Sequence, residues 1–489
     1  MNTFKRVIVL ITCSLFASIK GIAQDTTNTI GRVSIASPNA ASLGKYGDIP
    51  VSYHTGLPNI DIPVYTVESG SLKLPISLSY HASGLKVQEQ ASWVGAGWSL
   101  NAGGMITRSV VGGPDDRGYS SNLTMDGHYT DTGYCNYYSS QNDDLFIAKG
   151  YKDGEPDLYF FNFGGSSGKF YFNDDRTPML VPEQDFKILP FTQSGQGFIG
   201  FIVTTADGTK YYFGSVGNNS GTAPIEATNP ITALNGPSNT TAAASSWFLN
   251  KIISSDGQDS ITLTYTQESY SYYSQLWSPV TSQYYNQLDQ YGIKQTGFNL
   301  AKNIVQGVRL TQINFKNGTI IFTPSASPRS DLSNSAGLLS GTTMVDNANT
   351  SSFSLGSVSI KNTNGFCKKD SLYYGYFYDN TALNATFYNG YSSDNLHTDE
   401  YRLRLDSIRE TSCDNSLKVP SYKFTYFSET VPRNLSFGID HWGYPNGQNS
   451  NPGLVPTFTI ITSGSPQVTA GANRDASWPA MRGGSLQKI

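Results

Sequence analysis

Apolar and polar positions alternate with a period of two along much of the chain, the pattern of strands that bury one face. In Asn59-Ile60-Asp61-Ile62-Pro63-Val64-Tyr65 the residues Ile60, Ile62 and Val64 share a face. In Leu74-Pro75-Ile76-Ser77-Leu78-Ser79-Tyr80 the residues Leu74, Ile76, Leu78 and Tyr80 do the same. His81 falls off that face and is expected to hydrogen-bond at the strand end. Further on, pairs of apolar segments flank Asp207-Gly208, Asp256-Gly257, Asn317-Gly318 and Asn364-Gly365. These dipeptides tolerate the positive φ of tight turns, so each is expected to close a β-hairpin. Their unequal spacing disfavours propeller blades and fits a meander of hairpins with variable loops. Residues 215–246 and 326–352 lack periodicity and read as surface loops. The final Leu486-Gln487-Lys488-Ile489 reads as a strand just starting, with no partner left to pair it.

Composition strengthens the strand reading. Of 489 residues only 14% are charged, whereas 13% are aromatic, with 31 Tyr, 25 Phe and 48 Gly. Aromatic residues suit a pleated, half-buried surface and glycines supply turns, so the expected fold class is all-β, a meander of antiparallel hairpins. A net charge of −4 argues against nucleic acid as a partner, because phosphate binding needs a basic face. At the N-terminus Lys5 and Arg6 precede an apolar run from Val7 to Ala17 and the small residues Gly21 and Ala23. That is the layout of a secretory signal peptide cut between Ala23 and Gln24, so the protein is expected to be secreted or at the cell surface, as from a Gram-negative bacterium. The run is too short for a membrane span, and Thr12 is a poor residue before a lipidated Cys13. Of the remaining cysteines, Cys135, Cys367 and Cys413, the last two could pair, but no spacing demands it. Neither a metal nor a cofactor is expected, since the sequence holds no CxxC and no HExxH.

The densest candidate site is Ala91-Ser-Trp93-Val-Gly95-Ala-Gly97-Trp98-Ser-Leu-Asn-Ala-Gly103-Gly104-Met-Ile-Thr-Arg108-Ser-Val110. Gly95, Gly97, Gly103 and Gly104 do not form a phosphate-cradling GxGxxG that opens a helix, and residues 101–104 read as a turn between strands. Trp93 and Trp98 are expected in the core beside these glycines, with sugar stacking on Trp98 as the alternative. The histidines 54, 81, 128, 397 and 441 are scattered, and adjacency of His441 to Asp440 does not orient an imidazole as a catalytic triad requires. The acidic pairs Asp115-Asp116, Asp143-Asp144 and Asp174-Asp175 read as turn residues, without the spacing of a Ca²⁺ loop. Gly97-Trp98-Ser99-Leu100-Asn101 lacks the second Gly of a GxSxG elbow. Catalytic residues are therefore not assigned.

Several segments together carry a resemblance. Leu74-Pro-Ile-Ser-Leu-Ser-Tyr80, Gly95-Ala-Gly-Trp98 and Ile106-Thr-Arg108 resemble the N-terminal signature of secreted Rhs/YD-repeat proteins. They are also similar to the N-terminal virulence domain in the B component of insecticidal toxin complexes. Asp157-Leu-Tyr-Phe-Phe-Asn-Phe163 with Gly168-Lys-Phe-Tyr-Phe172, and Thr205-Ala-Asp-Gly-Thr-Lys-Tyr-Tyr-Phe-Gly214, resemble family hairpins. Trp247-Phe-Leu-Asn-Lys-Ile252 with Ile261-Thr-Leu-Thr-Tyr265, and residues 402–408 with 422–426, resemble degenerate YD-type hairpins. Asp440-His-Trp-Gly-Tyr444 and Gly471-Ala-Asn-Arg474 resemble the section before the repeat array.

The resemblance implies an Rhs-type β-shell with a β-sandwich-like N-terminal part. It divides the chain into the signal peptide at 1–23, an N-terminal β domain with the GxGW motif at 24–214 and a flexible loop at 215–246. A degenerate YD-type hairpin region at 247–430 and a Pro/Gly-rich lead-in to a repeat array at 431–489 complete the division. The family's self-cleaving core motif and effector are absent, so the chain is expected to be a piece of a longer protein or a truncated relative, and no toxin activity is carried over. The expected function is a non-enzymatic structural segment for encapsulation or surface display, whose partners are downstream repeats and a C-terminal effector. The alternative is a secreted adhesin or carbohydrate-binding β protein whose Tyr-rich faces contact cell-surface glycans. A hydrolase has no residue constellation behind it.

Overall fold

The computed structural model describes residues 56–110, 116, 156–173, 177–193, 197–217, 221–232, 243–276, 281–285, 290–294, 299–335, 346–382, 397–451, 453–454, 458–462, 465–469 and 471–489. Residues 1–23 expected to form a signal peptide, with Ala23 and Gln24 at its expected cut, Cys13, Cys135, His54, His128, Asp115 and the pairs 143–144 and 174–175 lie outside them. The chain divides into two compact units, Met1–Pro58 and Asn59–Ile489. All described strands belong to the second.

They run in order as β1 (Asn59–Ser69), β2 (Leu72–His81), β3 (Trp98–Asn101), β4 (Gly104–Ser109), β5 (Leu158–Phe163), β6 (Ser166–Phe172), β7 (Pro178–Val181), β8 (Lys187–Gln193) and β9 (Gly197–Thr204). Next come β10 (Lys210–Gly214), β11 (Ile225–Thr232), β12 (Ala243–Ile253), β13 (Ser260–Leu276), β14 (Thr281–Tyr285), β15 (Gln290–Lys294), β16 (Asn299–Phe315) and β17 (Gly318–Pro328). The last are β18 (Phe353–Asn362), β19 (Cys367–Tyr378), β20 (Tyr401–Ser412), β21 (Tyr422–Lys423), β22 (Thr425–Tyr426), β23 (Phe458–Thr462), β24 (Ser465–Thr469) and β25 (Leu486–Lys488). A single turn of helix, α1 (Trp478–Met481), precedes β25. The fold is all-β and every paired strand is antiparallel.

β1, β2 and β3 form a three-stranded sheet, and sixteen strands form one large sheet that includes β4 to β13 and β16 to β21. The large sheet branches because its long strands change partners midway. β16 pairs with β13 over its whole length, while its other edge pairs first with β11 and then with β17. The first half of β12 lies between β11 and β4, and its second half between β10 and β13. The period-two pattern matches the burial: in β2, Leu72, Leu74, Ile76, Leu78 and Tyr80 are buried and the residues between them are more exposed. One hydrophobic core runs from β1 through to Phe424.

All four Asp-Gly and Asn-Gly sites close hairpins, joining β9–β10, β12–β13, β16–β17 and β18–β19. Gly208, Gly257 and Gly365 take φ of +86°, +72° and +85° as the turn chemistry predicts. Gly318 differs: Lys316 and Asn317 make the turn, and Gly318 is already paired in β17. A Cβ there would lie 2.4 Å from the Lys361 carbonyl oxygen, so the glycine serves close strand approach. Two of these turns share a local lock with the turn after β20. A hydroxyl donates to an Asp two residues on (Thr205 to Asp207, Ser254 to Asp256, Ser412 to Asp414), and the Asp accepts the N–H two residues further, at 3.1, 3.0 and 3.0 Å. These bonds favour the ionised acid and hold Asp414, first through Ser412, down at about 2. A disulfide joins Cys367 to Cys413 across 5.5 Å between Cα atoms, tying the start of β19 to the turn after β20. The C-terminal strand expected to lack a partner has one: β25 pairs with β22.

Candidate functional site

The stretch 91–110 is a junction between sheets. β3 ends in the three-stranded sheet, residues 102–103 turn, and β4 enters the large sheet. A strand follows these glycines, so no helix N-terminus faces them and the phosphate-loop geometry is absent. Gly95 and Gly97 take φ of +110° and +74°, and Gly103 takes +132°. A Cβ on Gly104 would lie 2.5 Å from the Asn162 carbonyl oxygen and 2.6 Å from Phe163 Cβ, so a side chain there would push β5 away. Trp98 is 2% exposed, its ring 5.1 Å from Tyr80 and 4.7 Å from Phe424, and its Nε1 donates to the Tyr426 hydroxyl at 3.0 Å. With no face open to solvent, this ring cannot stack a sugar, which removes that alternative for Trp98. Trp93 is half-buried against the same core.

Arg108 points inward from β4. Its Nη1 lies 2.7 Å from Asp116 Oδ1 and 3.7 Å from Asp157 Oδ2, and its guanidinium lies 5.5 Å from the centre of the Trp247 ring. Asp116 also accepts the Phe198 N–H at 2.8 Å. Asp116 lies in a turn, as its sequence reads, and it is also 4% exposed and buried as the ionic partner of an arginine eight positions earlier. Each named motif residue that the structure describes here performs packing or backbone pinning.

A pair of acids, Glu226 on β11 and Glu268 on β13, flanks Gly307 of the intervening β16. A Cβ on that glycine would lie 3.3 Å from Glu226 Oε2 and 3.7 Å from Glu268 Cγ. Burial, with the neighbouring Glu268 second, pushes Glu226 up to about 7, and burial raises Glu268 as well. The sequence gives no hint of it, because the two residues lie on strands that do not pair with each other and come together across β16. Among the described residues no group of three or more His, Cys, Asp or Glu is placed to hold a metal ion.

The site with the shape of a binding site lies elsewhere, where the segment after β2 meets the segment around residue 440. A cleft of about 790 Å³ is lined on one side by His81, Ser83, Lys86, Gln88 and Glu89, and on the other by Ile439, Trp442, Gly443 and Tyr444. Trp442 is 67% exposed. His81 is exposed at the end of β2 and its Nδ1 lies 2.7 Å from the Ser83 hydroxyl, as its position off the apolar face predicts. The Lys86 ammonium lies 5.7 Å from the centre of the Tyr444 ring.

Both walls are rigidly supported. Asp440 is fully buried, and its Oδ1 accepts the N–H of Trp442 at 2.8 Å and of Tyr444 at 2.9 Å. It therefore shapes the backbone of the turn that presents Trp442, and its Oδ1 is engaged there rather than with His441. Arg402 donates to the carbonyls of Lys86 at 3.0 Å and Val87 at 2.6 Å, fixing the opposite wall. The Val87 N–H donates to the Gly443 carbonyl at 3.0 Å and joins the two. Of the sequence candidates, His81, Asp440 and the 440–444 segment come together here; Lys86, Gln88, Glu89 and Arg402 were missed. The signal available for Lys86, Gln88 and Glu89 was their polar character directly after a strongly amphipathic strand.

No family model and no curated protein matches the chain. Among solved structures the chain is similar to the N-terminal domain of effector protein SpvB from Salmonella typhimurium strain LT2. The likeness has 10% sequence identity and a TM-score of 0.30, and it covers 73% of this chain and 99% of that one.

Proposed function

We propose that the chain is a non-enzymatic structural segment of an exported protein of the Rhs/YD-repeat type, forming part of a β-shell that encloses or displays a C-terminal effector. The observation that carries this reading is the sixteen-stranded antiparallel sheet built largely from successive hairpins, several closed by the same hydroxyl–Asp turn lock. A wall needs many strands joined by short, self-sufficient turns, and such turns hold without a partner domain. The Cys367–Cys413 disulfide supports an oxidising compartment and hence export. Use of Gly104, Trp98 and Arg108 for packing supports a structural role for the motif.

The test is to tag the natural gene, purify its product from culture, and image it by electron cryomicroscopy with peptide mapping of the N-terminus. A hollow β-shell, found outside the cytoplasm and beginning at Gln24, is the expected result. A solid particle retained in the cytoplasm with residues 1–23 intact would overturn the proposal.

A further inference from the structure

We infer that the cleft between residues 81–89 and 439–444 binds a neutral oligosaccharide, with a pyranose ring stacked on Trp442. A sugar presents an apolar C–H face rimmed by hydroxyls, so it needs a flat aromatic surface beside mixed donors and acceptors. Trp442 supplies the surface, being 67% exposed in the lining of the cleft. Glu89 supplies acceptors, Gln88 both kinds of group, and His81 a ring nitrogen, all on the facing wall.

Other ligand classes fit less well. An anionic ligand would meet one lysine, Lys86, already placed over the Tyr444 ring, and in the same lining the Glu89 carboxylate, whose Oε2 lies 3.5 Å from the Lys86 backbone nitrogen. An apolar peptide would meet one branched aliphatic side chain, Ile439, itself 5% exposed, in a lining otherwise made of aromatic rings, Gly443 and polar residues.

Preorganisation strengthens the assignment. An exposed indole on a loose loop would lose side-chain and backbone freedom on binding. Here the turn that carries Trp442 is fixed by buried Asp440, by the 2.9 Å bond from the Asp440 N–H to the Tyr444 carbonyl, and by the bond from Val87 across the cleft. The cleft's volume of about 790 Å³ suits a ligand of two or three sugar rings.

The experiment is binding of the purified protein to an array of immobilised neutral and acidic oligosaccharides, followed by calorimetry with the best-retained neutral one. Trp442→Ala and Trp442→Phe are compared, with thermal melting as the folding control. The expected result is retention of neutral glycans and at least a tenfold weaker Kd for Trp442→Ala, a smaller loss for Trp442→Phe, and unchanged melting. Retention of acidic glycans alone, no retention at all, or equal binding by Trp442→Ala would each overturn the inference. The outcome is independent of the shell proposal, since Trp442 lies outside the large sheet.

Discussion

Two regions of the molecule bury themselves by opposite means. Around β5, β6, β9 and β12 the interior is aromatic: Tyr159 stacks on Phe170 at 5.0 Å, Phe172 on Phe198 at 5.2 Å, and Phe201 meets Trp247 edge-on at 5.1 Å. Backbone groups there are satisfied by strand pairing, so the side chains are free to fill space. Residues 431–440 are also all buried, yet form no strand beyond an isolated bridge and no helix. Their polar backbone groups are met largely by side chains and distant carbonyls. Arg433 N–H donates to Asp379, Asn434 N–H to the Asp399 carbonyl, and the Phe437 and Ile439 carbonyls accept from Asn451 and Asn446. The Arg433 guanidinium donates to both oxygens of Asp399, at 2.7 and 2.9 Å. An aromatic interior responds to lost volume. A hydrogen-bonded one responds to a lost partner, whatever the volume.

The contrast can be broken from either side. Trp247→Ala removes the largest ring of the aromatic region together with its Nε1 bond to the Phe198 carbonyl, and should cost about 4 kcal/mol in urea unfolding. Arg433→Ala leaves the Asp399 carboxylate buried without its guanidinium and should cost about 3 kcal/mol. The double variant Arg433→Met with Asp399→Leu should lose less than Arg433→Ala alone, because two apolar groups replace the pair. If single and double variants are equally destabilised, volume rather than pairing governs this region too.

Glu226 sharpens the comparison, as a buried acid beside another acid rather than a cation. Its pKa is raised from 4.5 to about 7, so the folded state holds the proton more tightly than the unfolded one. That contribution to stability is present below 4.5 and is lost as pH rises through about 7. Glu226→Gln should therefore exceed the wild type in stability by about 2 kcal/mol at pH 8 and match it near pH 4. Denaturation at the two pH values checks this, and an equal difference at both would contradict it.

Legibility in the sequence follows the same divide. Hairpins were readable because Asp207-Gly208 or Asn364-Gly365 carries the turn chemistry within a few residues. The β2 face and the position of His81 were readable from alternation alone. The branching of β12 and β16 was not, since which strand pairs with which half depends on long-range register. Residues 431–440 read as loop-rich because their Asn, Arg and Gly content signals solvent, whereas their partners Asp379, Asp399, Asn446 and Asn451 lie in other segments. The cleft shares that origin: Lys86 and Tyr444 face each other only after the intervening sheet has formed.

One continuous sheet runs from β4 to β21, and residues 215–246, expected as a loop, contribute β11 and the start of β12 to it. Native-state hydrogen exchange read by mass spectrometry tests this directly. Peptides from β4, β5, β12, β13, β16 and β20 should lose protection together, at one opening free energy. Separate opening of residues 59–214 and 247–430, at clearly different free energies, would contradict a single wall.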